Sequence, residues 1–342
     1  MLEHYIAEHN KIQKYSKPLD KDDQIHCTRP SYSSSNMSII DRIGNTDLVP
    51  LRHIVPEGSA DVLVKLEYEN PTGSMKDRMA LAMVEAAEKD GRLKPGGSVV
   101  EYTGGSTGVS LAFVCAVKGI PVKLVTSEAF SKEKRQHMKA LGAQLTMVHS
   151  PTGGTTKELT LEMIETAKEL SSEPGSFWTN QFHNNDQVLG YNRMGDEIWE
   201  QTNGKVDAFV QMVGTCGSLR GISTRLRGYD KTIRIVAVEP DESPVLSGGK
   251  SGSHKIEGTG PGFVMPLWDE SLADEILTVS TDQAMETARM LALKDGVFAG
   301  TSTGGNVAAA LQIAQRLGPG KIVVTTAVDS GMKYLSGELY SQ

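Results

Sequence analysis

The feature that most constrains this chain is a recurring alternation. From Ser38 onward, short runs of Val, Ile and Leu alternate with stretches of helical periodicity. The runs at 62–67, 98–101, 122–126, 144–148, 208–213, 233–238 and 322–326 read as strands. Most lack strict polar–apolar alternation, as expected of strands covered on both faces. Between them, 79–90, 131–141, 157–170 and 281–293 read as helices. This order predicts an α/β fold with mainly parallel sheets joined by crossover helices. The 342 residues leave room for about two domains.

Composition narrows the function classes. The formal net charge is −7 and no long basic run occurs, which argues against a nucleic-acid or anionic-membrane partner. The longest apolar stretch, 109–125, contains Lys118, Gly119 and Pro121, short of the ~20 apolar residues of a membrane helix. Residues 1–36 are polar, end in the Ser-rich run 31–35 and read as an extension outside the core. The first 17 lack the apolar centre of a secretory signal. Cys27, Cys115 and Cys216 are widely spaced, with no C-x-x-C pair. They give neither a disulfide framework nor a zinc or other metal site, and a cytoplasmic location is expected. No H-E-x-x-H, no P-loop and no dinucleotide fingerprint occurs.

In open parallel sheets, ligands gather where strands end and helices begin. Four joints rich in small residues occupy such places: 70–78, 103–108, 214–218 and 300–305. The first reads Asn-Pro-Thr-Gly-Ser-Met-Lys-Asp-Arg. Ser74 and Asp77 have capping-box spacing, which predicts Ser74 as N-cap and Lys76 in the first helical turn. The positive end of the helix dipole, with some burial, would lower the pKa of Lys76 and free its amine for Schiff-base chemistry. An exposed lysine at a helix start is the alternative. At the second and third joints, backbone N–H groups before a helix offer seats for a carboxylate or phosphate, or merely make tight turns. Cys216 reads as a small buried thiol rather than a nucleophile. The fourth joint supplies hydroxyls to cap a helix or reach a ligand.

Taken in order, "ENPTGSMKDR", "EYTGGSTG", "SKEKRQHMKALGAQL", "NQF", "VGTCGSLRG", "AVEPDESPVL", "EGTGPGF", "GVFAGTSTGGNVAAAL" and "DSGMKYLS" resemble the cysteine synthase and cystathionine β-synthase family. The match runs from about Ser38 to Ser336. The resemblance implies the tryptophan synthase β-like fold (type II pyridoxal-phosphate enzymes), with two three-layer α/β/α domains. It implies a smaller mobile domain near 70–182 and a larger one comprising 48–69 and 183–342. The implied cofactor is pyridoxal 5'-phosphate, bound covalently by Lys76, which also moves protons at Cα. Gly214, Thr215, Cys216, Gly217 and Ser218 match the phosphate loop, and Ser302 matches the residue facing the pyridine nitrogen. Thr103, Gly104, Gly105, Ser106 and Thr107 match the loop that closes on the substrate carboxylate. Ser106 also approaches the cofactor ring, Gln181 helps from the other side, and Gly258 lines the cleft.

The implied reaction is β-replacement on serine or an O-activated serine, with sulfide or another thiol as nucleophile. A β-eliminating lyase of the cysteine desulfhydrase or serine/threonine dehydratase type uses the same residues. A homodimer is the habit of the family. The chain departs from the family wording, usually T-S-G-N-T-G, at Gly104 and Ser106. It also departs at Cys216, where glycine is usual. The changes at Gly104 and Ser106 predict an altered substrate preference on an unaltered reaction class, whereas Cys216 is expected to tighten the phosphate loop and leave its backbone donors in place.

Overall fold

The computed structural model describes residues 37–151, 153 and 156–341; the N-terminal extension and Cys27 lie outside the described residues. The first part of the compact body comprises β1 (Leu48–Pro50), β2 (Asp61–Lys65), α1 (Lys76–Asp90), β3 (Ser98–Tyr102), α2 (Ser106–Lys118), β4 (Val122–Ser127) and α3 (Lys132–Ala140). Then follow β5 (Gln144–Val148), α4 (Lys157–Ser171), β6 (Ser176–Trp178), α5 (Asp186–Gln201), β7 (Ala208–Met212) and α6 (Gly217–Tyr229). β8 (Arg234–Pro240), β9 (Glu275–Val279), α7 (Thr281–Asp295), α8 (Thr301–Leu317) and β10 (Ile322–Thr326) complete it.

The strands form two sheets. One has four parallel strands in the order β5-β4-β3-β6; the other has six in the order β1-β2-β10-β7-β8-β9. Only the short edge strand β1 runs antiparallel to its neighbour. The side-chain period of two explains why the central strands read as continuous apolar runs. In the larger sheet, Phe209, Ile235, Ala237 and Val324 enter one core, while Val210, Val236, Val238 and Val323 enter a second on the opposite face. Each such fully buried side chain stabilises the fold by about 1.5–3 kcal/mol relative to exposure.

All seven expected strands are present, shifted by at most two residues at an end. The unexpected ones, β1, β6 and β9, are three residues long or only partly buried, so little apolar signal marks them. Helix α5 also escapes the sequence reading, because it opens on the polar run Asn184-Asn185-Asp186-Gln187. Helices α1, α2 and α8 begin earlier than periodicity suggests, since their first turns are built from the small or polar residues of the joints.

The first joint departs from its expected cap. Lys76 is the first residue of α1 and Met75 is the N-cap, without a side-chain cap. Asp77 turns back to the preceding turn, accepting from the Thr72 N–H at 2.8 Å and the Thr72 hydroxyl at 2.5 Å. Ser74 accepts from the Lys76 N–H at 3.2 Å. The tertiary turn at Thr72 thus outcompetes the local capping box, while Lys76 keeps its place in the first turn.

Two residues on, Arg78 ties α1 down. Its guanidinium donates to both oxygens of Glu67 at 2.7 and 2.8 Å, and to both oxygens of Glu197 on α5 at 2.8 and 2.7 Å. Lys65 joins Glu197 at 2.8 Å. Burial alone would raise the Glu197 carboxyl, but Arg78 and Lys65 hold it down at about 2.

Candidate active site

Four joints meet in one place, and contacts between them show how. Ser106, first residue of α2, donates its hydroxyl to Asp329 at 3.2 Å. Asp329 follows β10; its carbonyl accepts from the Gly300 N–H at the start of α8 at 3.1 Å. The next residue, Thr301, accepts from the Glu257 N–H at 3.1 Å. A Cβ on Gly214 would stand inside the Gly258 carbonyl, so the β7–α6 turn lies directly against the 258–262 loop. The Lys76 segment joins through a bridge between Ser74 and Asp329. Helices α2, α6 and α8 therefore present their N-termini to one cleft, and in none of the three does the N-cap residue itself supply a side-chain cap. First turns leave N–H groups that the helix itself does not pair.

Lys76 is half-buried, and its amine makes no hydrogen bond or ion pair among the described residues. Burial pushes its pKa down from the ordinary lysine value while nearby Asp329 pulls it up, and the balance is about 8. Ser302 is only 3% exposed, yet its hydroxyl makes no hydrogen bond among the described residues. In the third joint, Thr215 donates its hydroxyl to Gln187 at 2.7 Å, leaving Gly217 and Ser218 to open α6.

Cys216 sits at φ +72°, in the left-handed region that favours glycine. The family's usual glycine at this position thus has a backbone reason. Burial drives the Cys216 thiol up to about 12, which agrees with a packed thiol rather than a nucleophile.

The second joint is held from within. Thr103 turns its hydroxyl inward, accepting from the N–H groups of Gly105 and Gly108 at 3.0 Å each. Thr107 donates to the Gln181 side chain at 3.0 Å, and Gln181 donates onward to the Tyr102 carbonyl at 2.9 Å. A Cβ on Gly104 would lie 2.8 Å from the ring of Phe130, and one on Gly105 would strike the stem of Lys134. The departure at Gly104 is therefore matched by an aromatic ring occupying the vacated space. Ser106, where the family usually has Asn, spends its hydroxyl on Asp329. Exposed His183 pairs with Asn180 at 3.0 Å and reads as a loop residue.

Two acids escape the sequence reading. Asp329 lies 2% exposed, accepting from Ser106 and from the Tyr334 hydroxyl at 3.1 and 2.9 Å. Glu101, fully buried at the end of β3, accepts from the Tyr102 N–H at 2.9 Å, the Thr179 hydroxyl at 2.6 Å and the Gln181 N–H at 2.9 Å. Burial pushes its carboxyl up to about 7 against the pull of those donors. An acidic residue in a predicted strand is the only signal for Glu101, and Asp329 has none beyond the "DSG" wording.

A lysine amine with a lowered pKa, a glycine-rich turn at a helix N-terminus and two mainly parallel α/β sheets accord with pyridoxal-phosphate enzymes of fold type II. The pyridoxal-phosphate dependent enzyme family model matches residues 39–329, and the chain belongs to that family. Within it, the chain is similar to the cysteine synthase of Staphylococcus aureus, 46% identical over 302 residues covering 87% of this chain and 95% of that protein. It is similar also to the solved cysteine synthase of Entamoeba histolytica, at 37% identity and TM-score 0.84, covering 93% and 94% of the two chains. An O-ureido-L-serine synthase structure matches at 36% identity and TM-score 0.83, covering 89% of this chain and 95% of that one. The chain is thus a pyridoxal-phosphate enzyme of the cysteine synthase type, as its motifs imply. Among the described residues no helix is long and apolar enough to cross a membrane.

Proposed function

We propose that the chain replaces the β-substituent of an O-activated L-serine with sulfide or another thiol, using Lys76 as its covalent link to pyridoxal phosphate. The observation that carries this reading is the unpaired Lys76 amine, with its pKa of about 8, where the N-termini of three helices meet. The residues fit the cofactor. The first turn of α6, Gly217 and Ser218, would seat the phosphate with its N–H groups, that of Gly217 giving up its 3.4 Å bond to the Thr215 hydroxyl, assisted by the Gly214–Cys216 turn. Ser302 would meet the pyridine nitrogen with its unpartnered hydroxyl. Bound there, the cofactor supplies an electron sink. A neutral hydroxyl at the ring nitrogen makes it a weaker sink than a carboxylate partner would, favouring prompt loss of a leaving group from Cβ over transamination.

The chain's own groups do the rest. Neutral Lys76 takes and returns the proton at Cα. The N–H groups of Gly104, Ser106 and Thr107, with Gln181, hold the substrate carboxylate, while the Gly105 N–H stays on Thr103 and Gly258 lines the opposite wall. We read 70–182 as a mobile domain closing on 48–69 and 183–342, which would exclude water from the cleft. A cytoplasmic homodimer accords with the family resemblance.

Product analysis tests the reading. Holoenzyme is given O-acetyl-L-serine, O-phospho-L-serine or L-serine, each with and without sulfide. Formation of cysteine only with sulfide supports β-replacement and identifies the donor. Pyruvate released at the same rate without sulfide would make the chain a β-eliminating lyase instead.

Glu101 gives this reading a pH signature. Its carboxylate accepts from the N–H of Gln181 and fixes the Gln181–Thr107 pair against the carboxylate site. Glu101→Gln places an amide against donors and is expected to raise KM for the amino-acid donor about tenfold, the worth of one charge-assisted hydrogen bond. Because the folded pKa lies above the ordinary value of 4.5, this carboxyl gains its proton in the fold as pH falls through about 7. Wild-type KM should accordingly climb below pH 7, and that limb should vanish in the variant. Identical KM profiles would free Gln181 from any dependence on Glu101.

A further inference from the structure

Lys134 sits where elementary electrostatics disfavours a cation twice. It lies in the first turn of α3, its N–H donating to the Ser131 hydroxyl at 3.3 Å, so its charge stands at the positive end of the helix dipole. Its side chain is also only 4% exposed, and a buried ammonium is costly unless it is paired. The contacts along the side chain show what offsets both costs.

The stem runs against the substrate loop. A Cβ on Gly105 would strike Cδ of Lys134, so the glycine lets the loop backbone rest on the lysine chain. At the tip, Nζ donates to the Glu257 carboxylate at 2.5 Å and to the Tyr334 hydroxyl oxygen at 3.4 Å, and stands 4.5 Å from the centre of the Tyr334 ring. Glu257 immediately precedes Gly258, and its N–H donates to Thr301, beside Ser302. Tyr334 in turn donates to Asp329, which also holds the Ser106 hydroxyl. Burial alone would lower the Lys134 pKa, but Glu257 and Asp329 raise it above the ordinary lysine value, so the amine stays charged at working pH. One side chain thus touches the substrate loop at Gly105 and the opposite wall at Glu257.

We propose that Lys134 is a positioning residue for the amino-acid substrate: its stem supports Gly105, and its ammonium, tied to Glu257, straps the carboxylate loop to the opposite wall. The proposal deepens the function given above and rests on the carboxylate seat named there. Lys134 acts through the loop backbone rather than on the reacting atoms. With the strap in place, the N–H groups of Gly104, Ser106 and Thr107 are already ordered when the substrate arrives, so binding pays less for ordering them.

The test titrates holoenzyme of the wild type, Lys134→Met and Lys134→Arg with L-alanine, which carries the α-carboxylate but no leaving group. Binding is read from the visible spectrum of the cofactor. Methionine keeps an unbranched stem against Gly105, and the Glu257 side chain, 38% exposed, can turn to water, so the variant should fold. Lys134→Met should raise the dissociation constant of L-alanine about tenfold, the worth of one charge-assisted hydrogen bond. KM for the amino-acid donor should rise by the same factor with kcat and cofactor content unchanged, the pattern of lost binding rather than lost chemistry. Lys134→Arg should restore most of the affinity. Adding Glu257→Gln to Lys134→Met should cost nothing further, and a second loss of similar size would separate the two residues and overturn the strap. Amide hydrogen exchange without any amino acid present gives a readout independent of the reaction. In Lys134→Met, exchange should rise in 103–108 and 257–262 and stay unchanged in the central strands. Unchanged exchange in those two segments, an unchanged constant for L-alanine, or a rise spread over the whole fold would overturn the proposal. Wild-type holoenzyme that forms no cysteine from any donor with sulfide would instead sink the function proposed above, while the exchange result would still decide the strap.

Discussion

Replacing Lys76 with alanine is expected to lower turnover by at least about 10³-fold while leaving the fold intact. The size of the effect follows from the environment of the amine. At a pKa of about 8, about a tenth of it is neutral at pH 7, against about one part in three thousand at the ordinary value of 10.5. Neutral amine is the form that captures the cofactor carbonyl and accepts a proton from Cα. Because the amine makes no hydrogen bond or ion pair among the described residues, deleting it breaks no structural contact. The phosphate seat at α6 and the hydroxyl of Ser302 survive in the variant, so cofactor should still bind, but reversibly. Borohydride reduction followed by peptide mass mapping should fix the cofactor on Lys76 in the wild type and on no residue in the variant. Lys76→Arg should not rescue turnover, since a guanidinium does not deprotonate at working pH. Turnover within tenfold of wild type in Lys76→Ala would remove this lysine from the chemistry.

The parts of this site legible in the sequence are those whose signal is local. A Gly-Thr-Cys-Gly-Ser turn after a buried strand announces an open helix N-terminus wherever the chain later places it. The pairing of Lys76 with a helix start is likewise a matter of neighbours, and it survives even though Asp77 caps Thr72 rather than Ser74. What stayed hidden depends on distant segments meeting. Asp329 is an ordinary turn aspartate until β10 runs beside β2 and sets it next to the Lys76 segment. Glu101 looks like an acidic interruption in a strand until Gln181 and Thr179 deliver their donors to it. Gly104 reads as the loss of a hydroxyl until Phe130 is seen in the space it leaves. The same holds for the sheets: parallel order was legible from buried runs, whereas the three-residue strands β1 and β6 carry too little apolar pattern to announce themselves.

The second large effect is on stability, and it belongs to Arg78. Removing it by Arg78→Ala leaves Glu67 and Glu197 buried, with only Lys65 and the exposed Arg193 to oppose two carboxylates among the described residues. Breaking a buried ion network in this way costs about 3–5 kcal/mol. For a chain of this size that corresponds to a fall in thermal midpoint of about 10 °C. The pH dependence gives the cause away. In the wild type, the folded pKa of Glu197 is depressed to about 2, so its contribution is present above the unfolded value near 4.5 and is lost only as pH falls through about 2. In the variant, burial of Glu197 is no longer offset by Arg78, and its carboxyl should titrate above the ordinary value. The variant then takes up protons on folding as pH falls, and its stability deficit should shrink between pH 8 and pH 5. A deficit that stays constant over this range would point to lost packing of the guanidinium rather than to uncompensated charge. The combination Arg78→Met with Glu67→Gln and Glu197→Gln separates the two causes further. Once the acids are neutral, most of the lost stability should return if stranded charge is the source. Because Arg78 lies one half-turn beyond Lys76, the same combination also asks whether the network is needed to aim the amine. Restored stability with turnover still depressed would show that the ion pairs position α1 for catalysis as well as holding it in place.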